Sequence, residues 1–189
     1  FEGGEISAGQ RATAGAIERV RIDRETLEPK FRVIGSELWS TEAGFEDSTK
    51  ELNITGICGS GIIEVVAEMF LAGVISDDGI VDGALAERSS RVRSHGRTWS
   101  YVLHFAEDET QRDIVVTQND VRQIQLAKAA LYAGIKLLMD KMGVSAVDRI
   151  RLAGAFGSHI SVEHAMVLGL IPDCALAVSY THLRAHETT

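Results

Sequence analysis

Cysteine is the first scarcity. Cys58 and Cys174 are the two in 189 residues, far apart and in no CxxC or CxxxC pair. They supply too few ligands for an iron–sulfur cluster and form no recognisable zinc site. Both are expected to be buried, reduced thiols of a cytoplasmic protein, a compartment where disulfides are rare. Proline is as scarce, with two residues against eighteen glycines. Turns in such a chain lean on glycine, as in a compact α/β protein. Basic charge is in deficit too: the formal net charge of −8 argues against nucleic-acid or anionic-membrane surfaces as partners. No apolar run approaches the roughly 20 residues of a membrane span. No signal peptide is visible behind the opening Phe1. What is present, 45% hydrophobic and 24% charged residues, is the balance of an ordinary globular domain with a real core.

Along the chain, residues 15–36 read as a hairpin or meander, with Ile17, Val20, Ile22, Phe31 and Val33 alternating with charge around a polar turn. Residues 37–50 are polar and irregular, and 52–57 form a short strand. The apolar run 62–74 is a helix buried between layers, with Glu64 and Glu68 sharing one face. Gly73 and the cluster at 76–79 end it. Residues 82–100 are basic and polar, the composition of a surface loop. Two strands, 101–105 and 113–116, flank an acidic turn at 107–109. Thr117 and Asp120 have the spacing of a capping box. They open the longest helix, to about Met142, with Val121, Ile124, Leu131, Ile135, Leu138 and Met142 on one stripe and Gly143 as C-cap. A strand at 148–153 and a helix from the N-cap Ser161 to Gly169, before Pro172, complete the alternation. Strand, helix, strand, helix with glycine hinges is an α/β layered arrangement.

Two glycine-rich turns each sit between a strand and a helix. In the first, at Cys58, Gly59, Ser60 and Gly61, glycine permits close backbone approach and positive φ. The following helix points its free N–H groups and positive dipole end at the turn, and Ser60 adds a hydroxyl donor. This is phosphate-binding hardware and equally ordinary tight-turn hardware, since the spacing matches neither GxGxxG nor a Walker loop. The second, LAGAFGSH at 152–159, leaves room for a flat ring to lie against backbone, or is a plain strand-to-helix turn. His159 and His164 read as solvated or core-edge histidines, and Asp120, Asp148 and Asp173 as cap and turn residues. No residue is singled out as catalytic or as a metal ligand. Residues 178–189 lack any hydrophobic period and resemble a translated sequencing-library adapter. They are expected to be a non-native tail after a natural sequence ending near Ala177, so the helical spacing of His182 and His186 carries no metal.

Four motifs in order carry a family resemblance: FEGGEISAGQR at 1–11 with GAIE at 15–18, GICGSGIIE at 56–64, RLAGAFGS at 151–158, and GLIP at 169–172. Residues 1 to about 176 resemble the C-terminal, actin-like (ASKHA: acetate and sugar kinase, heat-shock chaperone, actin) domain of reductive activators of corrinoid proteins. The resemblance implies an α/β, actin-like, ribonuclease-H-like ATPase fold, of which residues 1–177 are part of a two-lobed domain. It implies ATP with Mg2+ as cofactor, and a 2Fe-2S cluster in an N-terminal domain upstream of Phe1. By the same resemblance Gly154, Gly157 and Ser158 lie at the adenosine side of the cleft, and Gly59, Ser60 and Gly61 near the phosphates or the inter-lobe hinge. The implied partner is a corrinoid (cobalamin-binding) methyl-transfer protein, returned to Co(I) by ATP-driven electron transfer; a homodimer is compatible with it. The Asp-Gly-Thr-type phosphate hairpin of such domains is expected upstream, so isolated residues 1–189 are not expected to hydrolyse ATP. Two other readings stand beside this one: a corrinoid-protein docking module with a vestigial cleft, and a small-molecule kinase of the same superfold.

Overall fold

The computed structural model describes residues 6–106, 111–172 and 180–181. The first unit is an antiparallel hairpin of β1 (Ile17–Ile22) and β2 (Pro29–Val33), pairing Val20 with Phe31 and Ile22 with Pro29. Its connection is held by Asp23, whose carboxylate accepts from the N–H groups of Glu25 and Thr26 and from the Thr26 hydroxyl. Leu27 there has φ +61 and is fully buried. The buried Tyr101 hydroxyl donates to its carbonyl at 2.8 Å, which holds a side chain where a bulky residue is rarely found. Burial pushes that phenol's pKa well above its ordinary range, so it keeps its proton. A short helix, α1 (Phe45–Thr49), interrupts the stretch read as irregular; Phe45 turns its ring edge-on to Phe31, 5.9 Å between centroids.

Helix α2 (Gly59–Leu71) is buried at every position from Ser60 to Met69. It lies along the free edge of β1, and its two carboxylates act there as a missing strand would. Ile17 at the start of β1 gives its N–H to the Gly56 carbonyl, and the N–H groups of Val20 and Ile22 also point away from β2. They donate instead to Glu64 Oε2 at 3.0 Å and Glu68 Oε2 at 2.9 Å. The match is geometric: four residues of helix rise about 6.0 Å, close to the roughly 6.6–6.8 Å spanned by two residues of strand. Val65 and Met69 beside them are fully buried, each contributing about 1.5–3 kcal/mol by leaving water.

The segment 82–100 is not a loop. A 3-10 turn (Gly83–Glu87) leads into β3 (Val92–His95), which pairs with β4 (Thr98–His104), and β4 pairs with β5 (Ile114–Thr117), both antiparallel. Three of the four β3 residues are exposed, so the strand carries no alternation of apolar and polar residues by which to recognise it. The acidic turn expected at 107–109 lies outside the described residues. The expected strand at 52–57 reduces to single bridges from Ile57 to Gly9 and Ile17.

Thr117 and Asp120 form the expected capping box at the head of α3 (Gln118–Met142), and Gly143, with φ +67, closes it. Val121 and Ile124 enter the core, but along the same stripe Leu131, Leu138 and Met142 are 49%, 62% and 74% exposed. A two-residue strand, β6 (Arg151–Leu152), stands where residues 148–153 were expected to be extended. It pairs in parallel with β7 (Tyr180–Thr181). Two short helices follow β6: α4 (Gly154–His159) and α5 (Val162–Val167), the latter capped by Ser161 as expected. Among the described residues no helix is long and apolar enough to cross a membrane.

Candidate functional site

Both glycine turns open helices, and the helices touch: α2 packs against α4 and α5 as well as β1. In the first turn Cys58 is the N-cap residue and gives α2 no side-chain cap. The N–H groups of Gly59, Ser60 and Gly61 find no acceptor among the described residues. Neither Gly59 nor Gly61 adopts the positive φ the sequence allowed them. Gly61 is needed for a different reason: a Cβ there would stand 2.3 Å from the Ile17 carbonyl oxygen and 2.8 Å from Ile57 Cγ2. This is the seam where the helix meets the strand, and only glycine fits it. The Ser60 hydroxyl is buried and lies 3.2 Å from the Cys58 sulfur. Cys58 is buried and free, as expected; Cys174 lies outside the described residues.

The second turn is built differently. Gly154 has φ +95, and a Cβ placed on it would meet nothing within 4 Å among the described residues. Gly157 is buried against Leu152, where a Cβ would lie 3.1 Å from the carbonyl carbon. Ser158 lies on the same short helix. Below the turn an apolar cavity of about 270 Å³ is lined by Leu152, Ala153 and Gly157, with Ile124 and Leu131 of α3 and Leu170 opposite.

A polar network ties this turn to α2. Arg19 donates from Nη1 to the His159 carbonyl at 2.7 Å and to Glu64 Oε1 at 2.9 Å, while Arg21 meets Glu64 Oε2 at 2.7 Å. Glu64 is 1% exposed, so the two guanidiniums and the Val20 N–H compensate its desolvation. One helical turn on, Glu68 Oε1 meets His164 Nε2 at 2.8 Å, and His164 Nδ1 lies 2.6 Å from the Ser161 hydroxyl. Burial pushes the Glu68 carboxyl up. The hydrogen bonds from His164 and the Ile22 N–H, with the electrostatic influence of His164 and Arg21, outweigh that and leave it below its ordinary range.

Arg19, Arg21 and His164 were not singled out from the sequence. The signal was present: two carboxylates four apart on an otherwise apolar helix require cationic partners when buried, and Arg19 and Arg21 lie two apart on one face of a strand. His164 was read as solvated or core-edge and is buried in this network; His159 is exposed. The tail histidines, His182 and His186, lie outside the described residues. Among the described residues no cluster of three or more His, Cys, Asp or Glu side chains is arranged to hold a metal ion.

Comparison with known proteins agrees with this architecture. The family model described as the C-terminal domain of RACo, the ASKHA domain, matches residues 1–181. The corrinoid activation enzyme RamQ of Eubacterium limosum is 33% identical over 180 residues, covering 91% of this chain and 28% of that protein. The solved structure of a reductive activator for corrinoid, iron–sulfur protein superposes with a TM-score of 0.75 at 33% identity, over 92% of this chain and 25% of that one. The chain thus spans about a quarter of the length of either relative. At this identity and coverage the α/β, actin-like fold is shared, and the chain belongs to the family of the C-terminal ASKHA domain of RACo.

Proposed function

We propose that this chain is the ATP-binding portion of an ATP-dependent reductive activator, one that returns an inactivated corrinoid (cobalamin) methyl-transfer protein to the Co(I) state. The observation that carries the nucleotide half is the Gly154 turn. Its backbone lies in the left-handed region and is open, among the described residues, where a side chain would stand. Arg19 and Glu64 fasten that turn to the helix whose first three N–H groups find no acceptor among the described residues. The printed roles of the two relatives carry the corrinoid half.

In this reading Gly154, Gly157 and Ser158 receive the adenosine end, and the N–H groups of Gly59, Ser60 and Gly61 receive phosphate oxygens, helped by the positive end of α2. Bound ATP would supply the free energy for electron transfer, with Mg2+ entering on its phosphates, as that ion prefers. What the chain's own residues do is hold geometry. Gly61 lets α2 sit directly on β1, Glu64 and Glu68 align it along the strand edge, and Arg19 fixes the second turn against it. A 2Fe-2S cluster in an N-terminal domain and a cytoplasmic location belong to the same proposal.

Calorimetric titration of the full-length protein with Mg·ATP is the first test, followed by optical detection of Co(I) on mixing with a reductant and an oxidised corrinoid protein. Saturable ATP binding with ATP-dependent Co(I) formation is expected. Corrinoid-protein binding without nucleotide binding would point instead to a docking module. Phosphorylation of a small molecule without Co(I) would point to a kinase.

A further inference from the structure

The basic stretch at 82–100 has no part in the site above. Its arginines divide into two sets. Arg91 is paired with Glu28 at 2.7 Å and Arg93 with Asp113 at 2.9 Å, and Arg88 donates to backbone carbonyls of Arg24 and Glu25. Arg97, at the exposed tip of the β3–β4 hairpin, has no partner among the described residues, nor has the exposed Arg122 on the first turns of α3. Both line one open groove of about 590 Å³, together with Trp99 and Ile80, and no carboxylate lines it.

Trp99 packs directly over Gly83, where a Cβ would stand 2.2 Å from the indole ring, so glycine there makes room for it. Its N–H has no acceptor among the described residues. Ile80 is 59% exposed beside it. Gln118 anchors the floor, accepting from the Val81 N–H at 2.9 Å and donating to the Gly79 carbonyl at 2.6 Å. The α3 capping box already occupies the helix start, so the groove's positive character comes from the two guanidiniums.

We propose that this groove is a docking site for an acidic segment of a partner protein, its carboxylates on Arg97 and Arg122 and an apolar side chain against Trp99 and Ile80. The occupant follows from charge. On a chain of net charge −8, two guanidiniums without partners among the described residues, flanking an indole in a groove that no carboxylate lines, select an acidic ligand. Arg and Trp are also the residue types that dominate binding energy at such surfaces. The site stands apart from the nucleotide proposal and does not depend on it.

The test uses an acetylated, amidated hexapeptide of alternating glutamate and leucine, with glutamate–serine and lysine–leucine peptides as controls. The readout is the indole N–H resonances of Trp99 and Trp39 in the intact protein. The acidic–apolar peptide is expected to shift Trp99 saturably while leaving Trp39 in place. Affinity should fall at least about tenfold in the Arg97→Glu, Arg122→Glu double variant, and fall again at high salt. Neither arginine makes a hydrogen bond or ion pair among the described residues, so the milder double variant with Gln at both positions keeps the fold and should show an intermediate loss. Absence of a saturable Trp99 shift, equal binding of the lysine peptide, or unchanged affinity in the charge-reversed variant overturns the proposal. So does stronger binding of phosphatidylserine vesicles than of the peptide, which would make the groove a membrane contact.

Discussion

The two glycine turns look alike in sequence and are opposites in structure. Each follows an extended segment, each places small residues before a helix, and each spends two glycines. At Gly61 the absent side chain is replaced by protein: the Ile17 carbonyl occupies its place at 2.3 Å. At Gly154, among the described residues, the absent side chain is replaced by nothing, and the backbone turns through φ +95 to leave that surface bare. The first glycine serves packing and the second keeps a surface clear. A shared motif therefore says that backbone must come close to something, and only the packing says whether that something is the protein or a ligand.

The same substitution at both positions should break the likeness. Gly61→Ala forces a Cβ into backbone that cannot yield, at a cost of about 3 kcal/mol or more. In a chain of this length that is a loss of roughly 6–12 °C in melting temperature. Gly154→Ala meets no atom of the described residues and carries the left-handed strain, about 1–2 kcal/mol. Thermal melts of the two variants compare them directly. Equal losses would mean that the two turns are of one kind.

The network joining the turns gives a smaller effect, readable by pH. Glu68 holds its proton more weakly in the folded state than the ordinary 4.5 of an unfolded glutamate. It therefore stabilises the fold fully above that value and progressively less as pH falls through its lowered folded value. Urea unfolding between pH 5 and 3 should show an acid loss that Glu68→Gln reduces, by no more than about 1.4 kcal/mol per pH unit, the limit for one proton. Identical acid limbs would remove Glu68 from the linkage.

The smallest effect is expected at the end of the chain. We propose that residues 178–189 are a non-native extension, and their described contribution is the two-residue ladder of Tyr180–Thr181 on Arg151–Leu152. Deleting them should cost less than about 1 kcal/mol, within roughly 2–4 °C of the parent. A larger fall would make them part of the fold.

What the sequence disclosed follows from the range of the interactions concerned. The capping box of Thr117 and Asp120, the Gly143 C-cap, the Ser161 N-cap and the β1–β2 hairpin are legible because their partners lie a few residues away. Glu64 and Glu68 were legible as one face of a buried helix, but not their partners: Arg19 lies 45 positions earlier than Glu64, and His164 lies 96 later than Glu68. Residues 82–100 were read as loop because β3 faces water along most of its length and so loses the period-two signal. In the candidate site the glycines themselves were legible. Their surroundings were not: the Ile17 carbonyl stands where a Gly61 side chain would, and no described atom stands where a Gly154 side chain would.

The central claim is that the bare surface at Gly154 receives the nucleotide, and a matched pair of variants tests it most directly. Gly154→Val and Gly73→Val both place a branched side chain at a positive φ, +95 and +72, where a Cβ meets nothing within 4 Å among the described residues. Both should therefore lose similar stability, but Gly73 lies past the far end of α2 from the glycine turn. Calorimetric titration of the full-length variants with Mg·ATP is predicted to show affinity reduced at least tenfold, about 1.4 kcal/mol, for Gly154→Val and unchanged for Gly73→Val. Unchanged affinity in both would remove the second turn from the nucleotide site and contradict the account.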